Sequence, residues 1–165
     1  MTMLSGTSER VSRIVKEWRP KKEYRSEAGY RDELLTFIRK ELKKGTMLGP
    51  SERHRIRKES GRHLADIGID EKIGVELKRN LNSQSSLDRL IGQVRRFMRS
   101  YDYIIVVLCG EVNEGILDEL KIEFKEHSRA RTVWGQETVV EIVGKGGRKE
   151  GKKGPKGWVD LFEEV

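Results

Sequence analysis

Residues 64–78 read LADIGIDEKIGVELK, from Leu64 to Lys78. Ala65, Ile67 and Ile69 are apolar, as are Ile73, Val75 and Leu77, and Asp66, Gly68, Gly74, Glu76 and Lys78 stand between them. A period of two belongs to a β-strand with one buried face. The two runs meet at Asp70, Glu71 and Lys72, which predicts a hairpin over residues 63–79 with those residues as its loop. The pattern dictates the register. Ile69 faces Ile73, Ile67 faces Val75 and Ala65 faces Leu77, so every apolar residue meets an apolar partner. On the other face Gly68 meets Gly74, Asp66 meets Glu76 and Leu64 meets Lys78. A slip of one residue would set Asp66 against Val75 and mix the faces.

This register has a chemical consequence. Directly opposed residues have Cβ atoms roughly 5 Å apart. Asp66 and Glu76 are then two like charges side by side, a repulsion that a hard divalent cation relieves. Mg²⁺ prefers carboxylate oxygens, keeps several waters and binds substrate phosphates. Lys78 projects from the same face two residues beyond Glu76, and Gly68 and Gly74 predict an open floor for a substrate backbone. Two carboxylates, a lysine and a clear floor are suitable parts for activating water against a phosphodiester. The plain alternative is a solvated strand face whose lysine neutralises its acids.

Around the hairpin, the periodicity predicts a mixed α/β domain whose sheet is covered on at least one face. Helices are expected at residues 8–18, 30–44, 85–101 and 114–127, from apolar residues recurring at helical spacing. The run YIIVVLC at residues 103–109 reads as a buried strand. Residues 138–143 read as a closing strand, and residues 54–58 as a polar one. Residues 1–25 are expected to form an N-terminal helical extension to a domain over 26–143. Residues 144–157 read GKGGRKEGKKGPKG and carry too little apolar surface to offset ordering entropy, so a flexible basic linker is expected. After it, Trp158, Leu161 and Phe162 share one face of a short amphipathic segment over 158–165. That segment either folds back on the core or docks on a partner protein.

Composition narrows the class. The chain has 165 residues, of which 35% are hydrophobic and 37% charged, with a net charge of +7. No run approaches the roughly 18 apolar residues of a membrane span, and no apolar secretory segment stands near residue 1. A single cysteine, Cys109, excludes an intrachain disulfide framework and a cysteine-based zinc site. A soluble cytoplasmic protein with an anionic partner is expected, and nucleic acid is the first candidate. The charge is unevenly spread. Residues 1–62 carry 17 Lys and Arg against 9 Asp and Glu, whereas residues 63–143 carry 11 against 14. An acidic centre in a basic protein suits carboxylates that hold a metal against a phosphate.

At these residues the chain resembles the PD-(D/E)XK nuclease superfamily. Asp66 followed by Glu76-Leu77-Lys78 is similar to its Asp…E-x-K motif, although Ala65 stands where the motif has proline. The order of elements over residues 26–110 agrees as well. The resemblance implies a restriction-endonuclease-like fold, a mixed β-sheet core flanked by helices, and Mg²⁺-dependent or Mn²⁺-dependent hydrolysis of DNA. It implies Asp66 and Glu76 as metal ligands with the Leu77 carbonyl, and Lys78 as the residue that orients the attacking water. It also points to Glu33 on the preceding helix as a support for the metal site, over Asp32, which points away, and Glu27, which is expected to precede the helix. Gln93 on the following helix matches a glutamine that several branches place near the site. A structure-selective enzyme of the Holliday-junction-resolvase type, acting as a homodimer, is a narrower reading.

Arg53, Arg55 and Arg57 alternate before the hairpin, and Arg95 and Arg96 follow Gln93. These are candidate phosphate contacts, which would confer salt-dependent affinity. A non-catalytic DNA-binding module of the same fold is the competing reading.

Overall fold

The computed structural model describes residues 6–45, 53–59, 61, 63–127 and 138–145. They form a five-stranded mixed sheet with helices on both faces, a more complete cover than the pattern required. The elements run α1 (Gly6–Glu17), α2 (Glu27–Lys43), β1 (Ile56–Lys58), β2 (Ile67–Ile69), β3 (Ile73–Leu81), α3 (Gln84–Phe97), β4 (Tyr103–Val112), α4 (Glu114–His127) and β5 (Val139–Lys145). The strands lie in sequence order. β1, β2 and β3 form an antiparallel meander, and β4 and β5 continue it in parallel.

The hairpin has the expected register over the three pairs nearest its loop. The expected pairs Ala65–Leu77, Asp66–Glu76 and Leu64–Lys78 do not form, because the chain bends at Asp66 and Ala65 packs in the core on the opposite face. Ile67 pairs with Val75, Gly68 with Gly74 and Ile69 with Ile73. Its loop carries Asp70 and Glu71 at φ 52° and 58°, left-handed values that cost a residue with a Cβ about 1–2 kcal/mol. Asp70 offsets part of that cost, because its carboxylate accepts the Arg55 N–H at 2.8 Å and bonds His54 Nδ1 at 2.7 Å.

The central strand explains the three layers. β4 is buried on both faces, as a continuous apolar run predicts. Tyr103, Ile105, Val107 and Cys109 pack toward α1 and α2, while Ile104, Val106 and Leu108 pack toward α3 and α4. Burying each large apolar side chain contributes roughly 1.5–3 kcal/mol.

Several boundaries differ from expectation: α3 ends at Phe97 and not at residue 101, β4 runs on to Val112, and three further differences lie in α1, α2 and β5. First, α1 is no extension. Val11, Val15 and Trp18 are essentially inaccessible and share one core with α2 and the sheet. Glu141 on β5 fastens α1 further, accepting from Ser12 Oγ at 2.7 Å and pairing with Lys16 at 2.5 Å. Second, α2 begins at Glu27, which was expected to precede it, because the Ser26 side chain caps the helix by accepting the Gly29 N–H. Third, β5 runs two residues into the segment read as a linker and ends at Lys145, which is buried and donates to the Lys16 carbonyl at 2.5 Å. The rest of that segment, and Trp158, Leu161 and Phe162, lie outside the described residues. Among the described residues no helix is long and apolar enough to cross a membrane.

Candidate active site

The site forms where β2 parts from β3. Their pairing ends at Ile67 and Val75, yet β3 continues to Leu81. On the edge that β2 vacates, the next main-chain donors would be left without partners. Two carboxylates take them. Asp66 Oδ2 accepts the Leu77 N–H at 2.9 Å, and Glu27 Oε1 accepts the Arg79 N–H at 3.1 Å. In an extended strand a residue's N–H and C=O lie on the same edge, so the Leu77 carbonyl is directed to this edge too.

Glu76 completes the arrangement, its Oε2 accepting the Asp66 N–H at 3.2 Å. Each of the two acids therefore holds main chain that belongs to the other's surroundings. Burial, and then the Asp66 charge, push the Glu76 carboxyl up to about 8. Burial also raises Asp66 above its ordinary value, opposed by the Leu77 N–H and by the Arg31 and Lys78 charges. Lys78 lies 3.2 Å from Glu27 Oε1, so the lysine and the first acid of α2 form an ion pair beside the carboxylates.

Asp66, Glu76, Leu77 and Lys78 thus come together, and Glu33 does not join them. Glu33 points elsewhere. Its carboxylate accepts from Trp18 Nε1 and the Lys21 N–H, both at 3.1 Å, and from the Tyr24 hydroxyl at 2.5 Å. The Glu33 bond, with burial behind it, pushes the Tyr24 hydroxyl up to about 12. Glu33 ties α1 and its following loop to α2, and Glu27 stands at the site instead. Gln93 is half-buried on α3, and its Oε1 is buried with no hydrogen-bond partner. The glycine floor is not open either. The Glu59 carboxylate lies over Gly68 and the Tyr101 ring over Gly74, within 2.6 Å and 2.8 Å of where a Cβ would stand.

The arginines divide. Arg57 is paired with Gly68 and so lies on the sheet face that carries Glu76. Arg53 is exposed just ahead of β1. Arg55 is paired with Glu71 of the hairpin loop at 2.8 Å, and Arg95 with Glu123 of α4. Arg96 is exposed beside Arg95. Arg31, which the pattern did not single out, acts on Asp66 electrostatically and pairs with Asp32 at 3.0 Å.

Among the described residues no three His, Cys, Asp or Glu side chains form a group that could hold a metal ion. Two carboxylates suffice for Mg²⁺, which keeps waters and is commonly held by one or two carboxylates together with substrate phosphates. The donor set fits in kind: a buried Glu76 whose carboxyl the Asp66 charge helps to raise, a half-buried Asp66, and a main-chain carbonyl directed to the same edge.

The distinction between Glu27 and Glu33 is testable. If the site is catalytic, Glu27→Ala is expected to reduce turnover roughly tenfold to a hundredfold, as loss of a supporting partner does. Glu33→Ala is expected to cost about 1–3 kcal/mol of stability by stranding buried donors, with turnover retained. Cleavage rates and thermal unfolding of the two variants measure both. Compared with known proteins, the chain matches no family model, no curated protein and no solved structure.

Proposed function

We propose that the protein is a Mg²⁺-dependent or Mn²⁺-dependent DNA nuclease of restriction-endonuclease-like fold that hydrolyses phosphodiester bonds. One observation carries the reading: half-buried Asp66 and buried Glu76 meet at the parting of β2 and β3, each bonded to main chain of the motif, with Lys78 beside them. The strand order, an antiparallel meander carrying the motif followed by a helix and a parallel strand, supports the fold.

Asp66, Glu76 and the Leu77 carbonyl would hold the cation. When bound, such an ion generates a hydroxide-like water near neutral pH and polarises a phosphoryl oxygen. The chain's own residues do the rest. Lys78, held by Glu27, presents an ammonium that orients the attacking water and compensates charge gathering on the phosphate. The Glu76 carboxyl, raised by burial and by Asp66, holds a proton at neutral pH that a cation would displace. Arg57 and Arg53, exposed at the start of the meander, supply phosphate contacts along a DNA backbone.

DNA as the partner, a homodimer and a cytoplasmic setting belong to the same proposal. The test is a panel of linear, nicked, flapped and four-way DNA substrates with Mg²⁺, with Mn²⁺ and with chelator. Cleavage that requires the metal is expected, and preference for four-way DNA by a dimeric species would support the junction-resolving form. Salt-sensitive DNA binding without metal-dependent cleavage would assign the protein to the DNA-binding alternative.

A further inference from the structure

We propose that Tyr101 and Glu59 are positioning residues for the Asp66–Glu76 pair, and that positions 68 and 74 are glycines because these two side chains lie across them. The inference rests on the nuclease reading and extends it to a structure that sets the geometry of the acids.

The hydrogen bonds form a closed ring. The Tyr101 hydroxyl accepts the Ala65 N–H at 3.3 Å and donates to the Glu59 carboxylate. The Glu59 N–H in turn donates to the Asp66 carbonyl at 3.0 Å. The Asp66 N–H is already given to Glu76, and its carboxylate to Leu77. The Ala65 N–H, the Asp66 N–H, the Asp66 carbonyl and the Asp66 carboxylate are therefore all engaged. The ring grips the main chain on both sides of the Asp66 Cα, which leaves the carboxylate little freedom to swing.

Space points the same way. Gly68 and Gly74 are partners in one register pair, on the face that carries Glu76. A Cβ at Gly68 would lie 2.4 Å from Glu59 Cδ, and one at Gly74 would lie 2.8 Å from Tyr101 Cδ2. Glycine is needed at both places for close approach, with no demand on φ. Tyr101 itself is firmly seated. It is buried, packs edge-on against Phe97 with centroids 6.4 Å apart, and its carbonyl accepts the Thr138 hydroxyl at 3.1 Å. The ring thus couples the α3–β4 connection and the end of β1 to the motif strand. Partners of this kind, one step removed from the ligands, fix orientation and typically matter tenfold to a hundredfold.

The experiment measures cleavage by the full chain against Mg²⁺ concentration, together with thermal unfolding, for Tyr101→Phe, Glu59→Ala, Glu59→Gln and Gly68→Ala. Tyr101→Phe and Glu59→Ala are expected to lower kcat roughly tenfold to a hundredfold and to raise the half-saturating Mg²⁺ concentration about tenfold, with KM for DNA little changed. Glu59→Gln still accepts from Tyr101 and is expected to restore kcat to within about threefold of wild type. Gly68→Ala crowds only the end of the flexible Glu59 side chain and is expected to reproduce Glu59→Ala, so it carries the test if Tyr101→Phe fails to unfold cooperatively. Wild-type kcat and Mg²⁺ dependence in Glu59→Ala and Gly68→Ala would overturn the proposal, as would a Glu59→Gln as impaired as Glu59→Ala. A wild type that cleaves nothing with either metal would overturn the nuclease reading itself, and this proposal with it.

Discussion

Asp66→Ala is expected to retain roughly a thousandth or less of the wild-type cleavage rate at saturating Mg²⁺, since it removes a ligand and the charge that stabilises the transition state through the metal. The geometry separates this loss from unfolding. Asp66 Oδ2 accepts the Leu77 N–H, so truncation strands one donor on an edge that β2 has already left. Asp66→Asn keeps an oxygen for that donor and removes the charge. Both variants are expected to unfold as cooperatively as wild type, and both to be inactive. Single-turnover rates on duplex DNA, read beside thermal unfolding curves, decide the matter. Cleavage by Asp66→Ala within tenfold of wild type would falsify the assignment.

The second large effect concerns stability and pH. The folded Glu76 carboxyl titrates at about 8, raised by burial and then by Asp66. In the unfolded chain it titrates near its ordinary value of 4.5. Between those values the unfolded state has released a proton that the folded state keeps. Without divalent metal, stability therefore falls as pH rises through that window and levels off above it. Glu76→Gln cannot ionise and escapes the loss. Its advantage over wild type is expected to be near zero at pH 4 and to grow to a few kcal/mol by pH 9, roughly 10 °C in Tm for a chain of this size. Thermal unfolding of the two proteins in chelator across that range measures the divergence. Added Mg²⁺ should narrow it by stabilising only the wild type. A constant difference at all pH values would refute the burial of a titrating Glu76.

Much of the fold was legible because β-structure repeats every two residues. A single register satisfies Ile67, Ile69, Ile73 and Val75, while Asp66 and Glu76 adjoin past the end of that ladder through a side-chain bond to main chain. The continuous apolar run of β4 was legible for a similar reason. Most of the failures share another cause, a contact with a distant part of the chain. Glu33 sits at a helical angle suited to the site, but Trp18 and Tyr24 claim its carboxylate. Glu27 is the local exception: the start of α2 depends on the Ser26 cap, which the periodicity of the apolar stripe does not register. Gly68 and Gly74 looked like empty space because nothing local reveals that Glu59 and Tyr101 fill it. Likewise α1 has an ordinary amphipathic pattern, and only the meeting of Val11, Ile14, Val15 and Trp18 with α2 and the sheet makes it part of the core.

The unequal lengths of β2 and β3 bear on how such a protein can diversify. β3 is braced by β4 along its whole course to Leu81, while its opposite flank is braced by β2 for only three residue pairs. One side of the motif strand is an anvil and the other a changeable tool holder. On the proposed nuclease reading, a change in the chain between β1 and β2 would alter what reaches the carboxylates, while the parallel half of the sheet keeps β3 in place.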